Sequence, residues 1–415
     1  MSDVVFEPVT VGFARKQRLA PPRMPGGEVA LQAPPEIPRA VPGGLIGKLL
    51  PIVMVIAVVG MIALMFTSGS SMMTNPFMMM FPLMMLVSMF GMYGMNSQRN
   101  GGSAAELNED RKDYLRYLGQ IRGQVDGTRT EQRAALEWIH PDPDALVGCV
   151  GSRRMWERRP TDPDFLHLRV GVGSQRLATR LVPPETGPLE DLEPVSTVAL
   201  RKFVRHGAAV PGLPVAVALR GFPAIGIDGP RERTVAAVRA MLMALATLHG
   251  PDHVRISVVT DDIDGPDWRW LKWLPHCAHP SACDAVGPRR MVFGSLTDLD
   301  EVLAPELADR GAFVRSTPAD PSRAHHIVVL DAAIAVAPGG ALDVAAGIDG
   351  VTLVDIAPDE DSLVRRGGLA LEIDEDGRIG ARSGAGIEYF AMVDGVTEGA
   401  AHVLSRRIGP RPWRS

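Results

Sequence analysis

Charge is missing where its absence matters most. From Leu49 to Gln98 the 415-residue chain holds no Asp, Glu, Lys or Arg. Thirteen of its 20 Met residues fall in that stretch. So long an uncharged run excludes an ordinary solvated surface segment. Cysteine is scarce as well. Cys149, Cys277 and Cys283 form an odd, sparse set, which excludes a disulfide framework and fits reduced thiols in a cytoplasmic compartment. A positive excess is absent: 43 Lys and Arg stand against 48 Asp and Glu, a net charge of −5, so no global basic field points to nucleic acid. A signal peptide is also lacking, because the apolar run begins only after more than 40 residues, with no small-residue cleavage site. No Ser/His/Asp or Cys/His nucleophile set stands out, and no catalytic residue is assigned.

The uncharged run is long enough to cross a bilayer twice, since one crossing takes about 20 apolar residues in a helix. It reads as one helix from about Ile46 to Thr67 and a second from about Pro76 to Met95, with the Ser/Gly/Asn-rich link at 68–75 as the turn. Arg15, Lys16, Arg18, Arg23, Arg39 and Lys48 precede it, and Arg99, Arg111, Lys112 and Arg116 follow. Positive flanks on both sides place both ends in the cytoplasm. The expectation is a two-pass protein of the inner membrane. The Met enrichment suits lipid contact, or a face that repacks against other subunits.

Residues 1–45 are rich in Pro and Gly and should be extended, either as a flexible arm or with Glu28–Gln32 adding a strand to a sheet edge. After a break at Arg99–Gly102, Ser103 and Glu106 have capping-box spacing for a helical stalk that Pro141 and Pro143 end. Leu107, Tyr114, Leu118, Ile121 and Val125 make its apolar stripe. Gly119, Gly123 and Gly127 fall on one face, tolerable where another element packs closely. Residues 144–221 read as a small β-rich domain. Its stretch Gly151–Pro160 sets four arginines around Trp156, a composition suited to anionic lipid, phosphate or an acidic partner. The plainer reading is preferred: a Trp packed under solvated arginines that pair with Asp162 and Asp164.

From 222 to 415, short strands alternate with helices, which argues for a mostly parallel sheet. The strand–Gly–helix unit at 224–248 is where a nucleotide fold would place its phosphate loop. Such a loop needs glycines, a Lys and a Ser/Thr hydroxyl. Counted from Gly229, those last positions hold Thr234, Val235 and Ala236, and Pro230 removes a donor. Gly226, Gly229 and Arg231 are the candidate remnants. Ile327–Asp331 has the shape of a Walker B strand, with Ala332 where hydrolysing enzymes place a Glu. Asp331 completes the degenerate nucleotide-binding set, and little or no hydrolysis is expected. His276, Cys277, His279 and Cys283 match no usual zinc spacing, so no metal is assigned.

Several stretches then combine. Trp268–His276 resembles the W-x-W-x-K-W-L-P-H stretch of the EccC family, FtsK/SpoIIIE-type motor ATPases of mycobacterial type VII (ESX) secretion systems. His249–Val254, Gly151–Pro160, Asp113–Leu118, Arg18–Pro22 and Ala33–Arg39 also resemble it, in the same order. The Arg18–Pro22 opening leans toward the ESX-3 type. The resemblance implies an α/β protein with membrane helices: an arm (1–45), a two-helix transmembrane hairpin (46–97), a helical stalk (98–143), a small β-rich domain (144–221) and a degenerate RecA/FtsK-like ATPase domain (222–415). It implies the membrane-anchoring and stalk region of a longer motor that drives protein export. ATP and Mg are expected for the full-length motor, and no cofactor is required by this segment. EccB, EccD and EccE, the lipid bilayer, a higher-order oligomer and secreted proteins held by downstream domains are the implied partners, without nucleic acid. The alternatives are an FtsK-type DNA translocase and an ATP hydrolase built from residues 222–415 themselves.

Overall fold

The computed structural model describes residues 17–37, 45–67, 76–283, 285, 287–331, 342, 344, 346–358 and 362–409, with side chains described only at scattered positions within 45–104 and not at Pro280. In chain order the elements are β1 (Glu28–Ala30), α1 (Leu45–Thr67), α2 (Pro76–Ile139), α3 (Leu146–Cys149), β2 (His167–Arg176), β3 (Arg180–Val182), α4 (Pro194–Gly207), β4 (Ala209–Ala218), β5 (Ala224–Asp228), α5 (Arg231–Leu248) and β6 (Val254–Thr260). Then follow β7 (Ala278–Cys283), β8 (Pro288–Arg290), β9 (Val292–Phe293), α6 (Leu296–Leu307), β10 (His325–Asp331), β11 (Val351–Ile356), α7 (Leu363–Gly367), β12 (Leu369–Ile373), β13 (Arg378–Ser383), β14 (Gly386–Val393) and α8 (Glu398–Ile408). The chain forms two compact units, one of residues 1–25, 128–178 and 209–415, the other of 26–127 and 179–208.

The larger unit is built on a ten-stranded sheet in the order β4-β2-β14-β13-β12-β5-β11-β10-β6-β9. Strands β12, β5, β11, β10, β6 and β9 pair in parallel. Their runs are apolar without alternation, Ile327-Val328-Val329-Leu330 being the clearest, as buried parallel strands require. Helix α5 is buried at every position from Thr234 to Leu248 except Ala236, so it lies inside the core. The remaining strands, β13, β14, β2 and β4, pair antiparallel.

That sheet corrects the expected fold class. The β-rich stretch after residue 144 is no separate small sheet, because β2 and β4 extend the same sheet as the nucleotide-fold strands. The joint is Ala391↔Gly173 between β14 and β2, a pairing of residues more than 200 positions apart that no local pattern discloses. Gly171 and Gly173 sit where a Cβ would come within 2.1 Å of the backbone oxygens of Met392 and Phe390. The strands meet there because those positions lack side chains.

The hairpin-and-stalk reading is corrected too. The second apolar stretch and the stalk are one continuous helix of 64 residues, α2. Gly101 and Gly102 cost a helix about 1 kcal/mol each relative to Ala, too little to break one this long, and Ser103 is no cap. Crossing a bilayer takes an unbroken apolar helix of about 20 residues, and among the described residues no helix is long and apolar enough to cross a membrane. The two-pass hairpin, and the inner-membrane placement and cytoplasmic topology that rested on it, are withdrawn on that finding. The expected turn at 68–75 lies outside the described residues.

In the smaller unit the stripe of α2 is buried at Tyr114, Leu118, Ile121 and Val125. Tyr114 donates to the Gln32 carbonyl at 2.9 Å, and the Gln32 N–H donates to the Tyr117 hydroxyl at 3.1 Å. The strand expected near Glu28 forms, but its partner is in the same chain: β1 runs parallel to β3. Nothing lies within 4 Å of a Cβ built on Gly119, Gly123 or Gly127, so among the described residues no element packs closely on these glycines. Glu193 caps α4, accepting from Val195 and Ser196, and pairs with Arg111 at 2.9 Å.

Candidate functional site

Three of the four nucleotide-site candidates meet where β5 gives way to α5. Gly229 has φ +136° and closes the turn. A Cβ there would lie 2.3 Å from the Ile373 carbonyl oxygen of β12, so both the conformation and the close approach need glycine. Its N–H, which a phosphate loop would aim at an anion, is bonded to Asp228 Oδ1 at 2.9 Å. Arg231 opens α5. Asp331 ends β10, two strands away in the sheet, and the fold brings the two together. Gly226 serves packing: a Cβ would come within 2.7 Å of Pro358 and 2.9 Å of Val364.

The Arg231 guanidinium grips Asp331 with both ends, Nη1 to Oδ1 at 2.6 Å and Nη2 to Oδ2 at 3.1 Å. Nη2 also reaches Asp267 at 3.0 Å. The Trp268 indole N–H donates to Asp331 Oδ2 at 2.6 Å. The Asp331 side chain is 2% exposed, whereas Arg231 is 61% exposed. The hydrogen bond from Arg231 to Asp331 holds the guanidinium above its ordinary value, against a smaller effect of burial. A buried carboxylate needs such partners, and Asp331 finds them all within the chain. Asp267 is shared with Arg239 at 2.8 Å, and Arg239 in turn donates to the Val396 carbonyl at 3.0 Å.

This arrangement can hold a strand end, a helix start and the Trp268 loop together. It is poorly disposed toward phosphate. At the first turn of α5 the Arg231 guanidinium is already occupied by Asp331 and Asp267, and Arg233 donates to the Glu375 carbonyl at 3.0 Å. Asp267, Trp268 and Arg239 are members that sequence reasoning missed. The signal was present in part: Trp268 opens the Trp268–His276 stretch, though nothing in its spacing points to Asp331.

That stretch and Gly151–Pro160 turn out to be internal framework. The last carbonyls of a helix have no intrahelical partner. Those of α5 are met by Trp156 and Arg158: the Trp156 indole donates to Ala246 O at 3.0 Å, its backbone N–H to Thr247 O at 2.9 Å, and the Arg158 N–H to Leu248 O at 2.9 Å. The same ten residues cap α2. Arg154 donates to Trp138 O at 2.6 Å, and Arg158 donates to Ile139 O. Cations also suit the negative end of a helix dipole. Trp156 is buried, as expected. Arg158 is buried as well, 1% exposed, and paired with Asp164 at 3.2 Å, so it is not the solvated arginine of the plainer reading. Burial pulls its pKa down to about 10.

The four residues weighed for zinc are turned to other uses. His276 is buried and bonds through Nε2 to the His249 carbonyl at 2.8 Å. Burial lowers it to about 4 and pushes the Cys277 thiol up to about 12. His279 accepts through Nδ1 from the N–H groups of Ser281 and Ala282, and Cys283 is exposed. Among the described residues no group of three or more His, Cys, Asp or Glu is placed to hold a metal ion.

No family model matches the chain. Individual proteins do. It is 41% identical over 412 residues to the ESX secretion system protein EccC of Thermomonospora curvata, covering 97% of this chain and 30% of that protein. It is 38% identical over 342 residues to the ESX-3 secretion system protein EccC3 of Mycobacterium tuberculosis, covering 82% of this chain and 25% of that one. With the ESX-4 secretion system protein EccC4 of the same organism it shares 41% over 277 residues, 67% of this chain and 22% of that protein. The chain thus spans less than a third of the length of these three relatives. A solved cytoplasmic domain of the T. curvata type VII secretion ATPase EccC aligns at 16% identity and a TM-score of 0.35, covering 62% of this chain and 32% of that one, a likeness too slight to argue from. On the sequence matches, the chain is a homologue, over most of its length, of the EccC proteins of ESX secretion systems.

Proposed function

We propose that this chain is a non-hydrolysing, ATPase-derived framework of a type VII secretion motor. ATP and Mg would be used by other parts of a longer protein, and this region would supply rigid structure. The observation that carries the reading is the Arg231–Asp331 pair. In a working site the carboxylate at that strand end serves the metal and a lysine serves the phosphates. Here carboxylate and cation satisfy each other, and no lysine or hydroxyl stands in the loop. The relatives' place in ESX systems supports partners in a secretion complex generally, and the proposed ones are EccB, EccD and EccE, with secreted proteins engaged by other domains, in a higher-order assembly.

Titrating the full chain with Mg-ATP tests the first part. No saturable turnover is expected, and none should appear in Asp331→Ala. Saturable turnover that Asp331→Ala abolishes would overturn the reading and establish a hydrolase. Co-expression with EccB, EccD and EccE tests the second part. Co-purification is expected, and a chain that always purifies alone would remove the proposed partners.

A further inference from the structure

At the opposite end of the sheet from Asp331 lies a cleft of about 600 Å³ that nothing above assigns. It sits where β4 ends and the chain leads into β5. Its walls include Phe165, His167, Arg220, Arg315 and the hydroxyl residues Thr161 and Ser316. Its volume falls in the usual range for small-molecule sites.

Its charge is lopsided. The one carboxylate in the wall, Asp162, is matched by Arg18 at 2.8 Å. Arg220 stands on the short 3-10 turn Leu219–Gly221 and is half-buried. Among the described residues it makes no hydrogen bond and no ion pair. Its field is felt nearby: after burial and Arg158, Arg220 contributes to holding His167 below its ordinary value. Arg315 is fastened in place. Its Nε donates to the Gly221 carbonyl at 2.9 Å, and its guanidinium lies 4.7 Å from the centre of the Phe222 ring. The two terminal nitrogens of that fork are not committed among the described residues.

A half-buried guanidinium that bonds no anion among the described residues carries a desolvation cost. Two arginines beside hydroxyl donors, over a cleft whose one carboxylate is already paired, match the oxygens of a phosphate group, which the arginine fork can take two at a time. Arg220 also borders an adjoining cleft whose wall holds Asp309, Asp320 and Asp349 together with Arg310 and Arg323. We propose that this cleft binds a phosphate-bearing small molecule, held by Arg220 and Arg315. The site is separate from the degenerate nucleotide position, whose residues lie at the other end of the strands.

Calorimetric titration of the full chain with inorganic pyrophosphate at low salt is the test. Saturable binding is expected, weakened about tenfold or more by Arg220→Gln and by Arg315→Gln, since each removes charge-assisted hydrogen bonds. Arg231→Gln should leave it unchanged. Circular dichroism checks folding. If Arg315→Gln disturbs the Gly221 contact, Arg220→Gln still decides, because Arg220 bonds nothing else described. Absence of saturable binding would overturn the proposal. So would binding lost in Arg231→Gln but kept in Arg220→Gln, which would place the anion at the start of α5. Binding of a glutamate-rich peptide with none of pyrophosphate would make the cleft a protein-docking surface and overturn it as well. This outcome does not depend on the scaffold reading, which the Mg-ATP titration tests separately.

Discussion

Helix α5 is held at both ends by arginine, and the two arginines differ in almost every respect. At its N-terminus Arg231 is largely exposed and reaches carboxylates, Asp331 and Asp267. At its C-terminus Arg158 gives its backbone N–H to the Leu248 carbonyl at 2.9 Å, while its buried guanidinium reaches the carbonyls of Ile139, at the end of α2, and of His167 at 2.6 Å, with Asp164 as its counter-ion. The first is an arrangement of side chains at a place where a related fold would do chemistry. The second satisfies helix ends that would otherwise be orphaned. An ion pair whose cation faces solvent is worth less than a fully enclosed one, whereas a buried polar group must be satisfied or the fold loses several kcal/mol. The contrast teaches that the most singular sequence motifs here mark internal architecture, while the expected site is a modest surface closure.

Substitutions should break the two ends unequally. Trp156→Ala empties a fully buried position and removes the indole donor to the Ala246 carbonyl at the end of α5. A loss of about 3–5 kcal/mol is expected, read from urea denaturation. A loss below about 1 kcal/mol would mean the motif is peripheral. Gly229→Ala comes next. It puts a Cβ against the Ile373 carbonyl at a φ that L residues avoid, for an expected loss of about 2–3 kcal/mol. Unchanged stability would show that the β5–α5 turn is not held as described.

Acid should act on the C-terminal end first. His276 is buried neutral, with its pKa lowered to about 4, and His249 is lowered well below its ordinary value, both chiefly by burial. The unfolded chain takes up protons near pH 6.5, while the folded one resists. Their contribution is therefore complete above pH 6.5 and is lost as pH falls from 6.5 toward 4. The slope is about 1 kcal/mol per pH unit for each such histidine. His140 and His325, both lowered to about 3, act in the same sense. Urea midpoints at pH 7.5, 6.0 and 5.0 should fall in that order, less steeply in His276→Gln. A flat profile would contradict the buried-neutral assignment.

The smallest effect belongs to Arg231→Gln. The guanidinium is exposed, and the buried Asp331 carboxylate it leaves behind keeps the Trp268 N–H, so a loss of about 1–2 kcal/mol is expected. A change as large as that of Trp156→Ala would erase the distinction between the two ends.

Much of the parallel core was legible locally. The strand–Gly–helix unit expected at 224–248 is β5 and α5, and the strand shape at 327–331 falls within β10, because a buried helix and a buried parallel strand each leave a dense apolar run between Gly or Pro punctuation. The end of α2 before Pro141 was equally plain. The helix expected at 46–67 is α1, but at 76–139 composition suggests a membrane helix and a separate stalk where the chain forms one helix. Nor was it readable at 144–221 that the antiparallel strands β2 and β4 extend the main sheet. Gly226, Gly229, Arg231 and Asp331 were singled out from loop chemistry, but their mutual distances were not readable, nor was the part of Asp267, Trp268 and Arg239.

By itself the sequence determined which segments are strands and helices in the core, that the phosphate loop lacks its lysine and hydroxyl, and which family the chain resembles, since these rest on residue type and short-range spacing. Only the tertiary structure decided that Asp331 is closed by Arg231, that Gly151–Pro160 caps two helices, and that β2 and β4 complete the main sheet. Each of those is a contact between residues far apart in the chain, and the free energy that selects it comes from burying and pairing groups whose partners no local window contains.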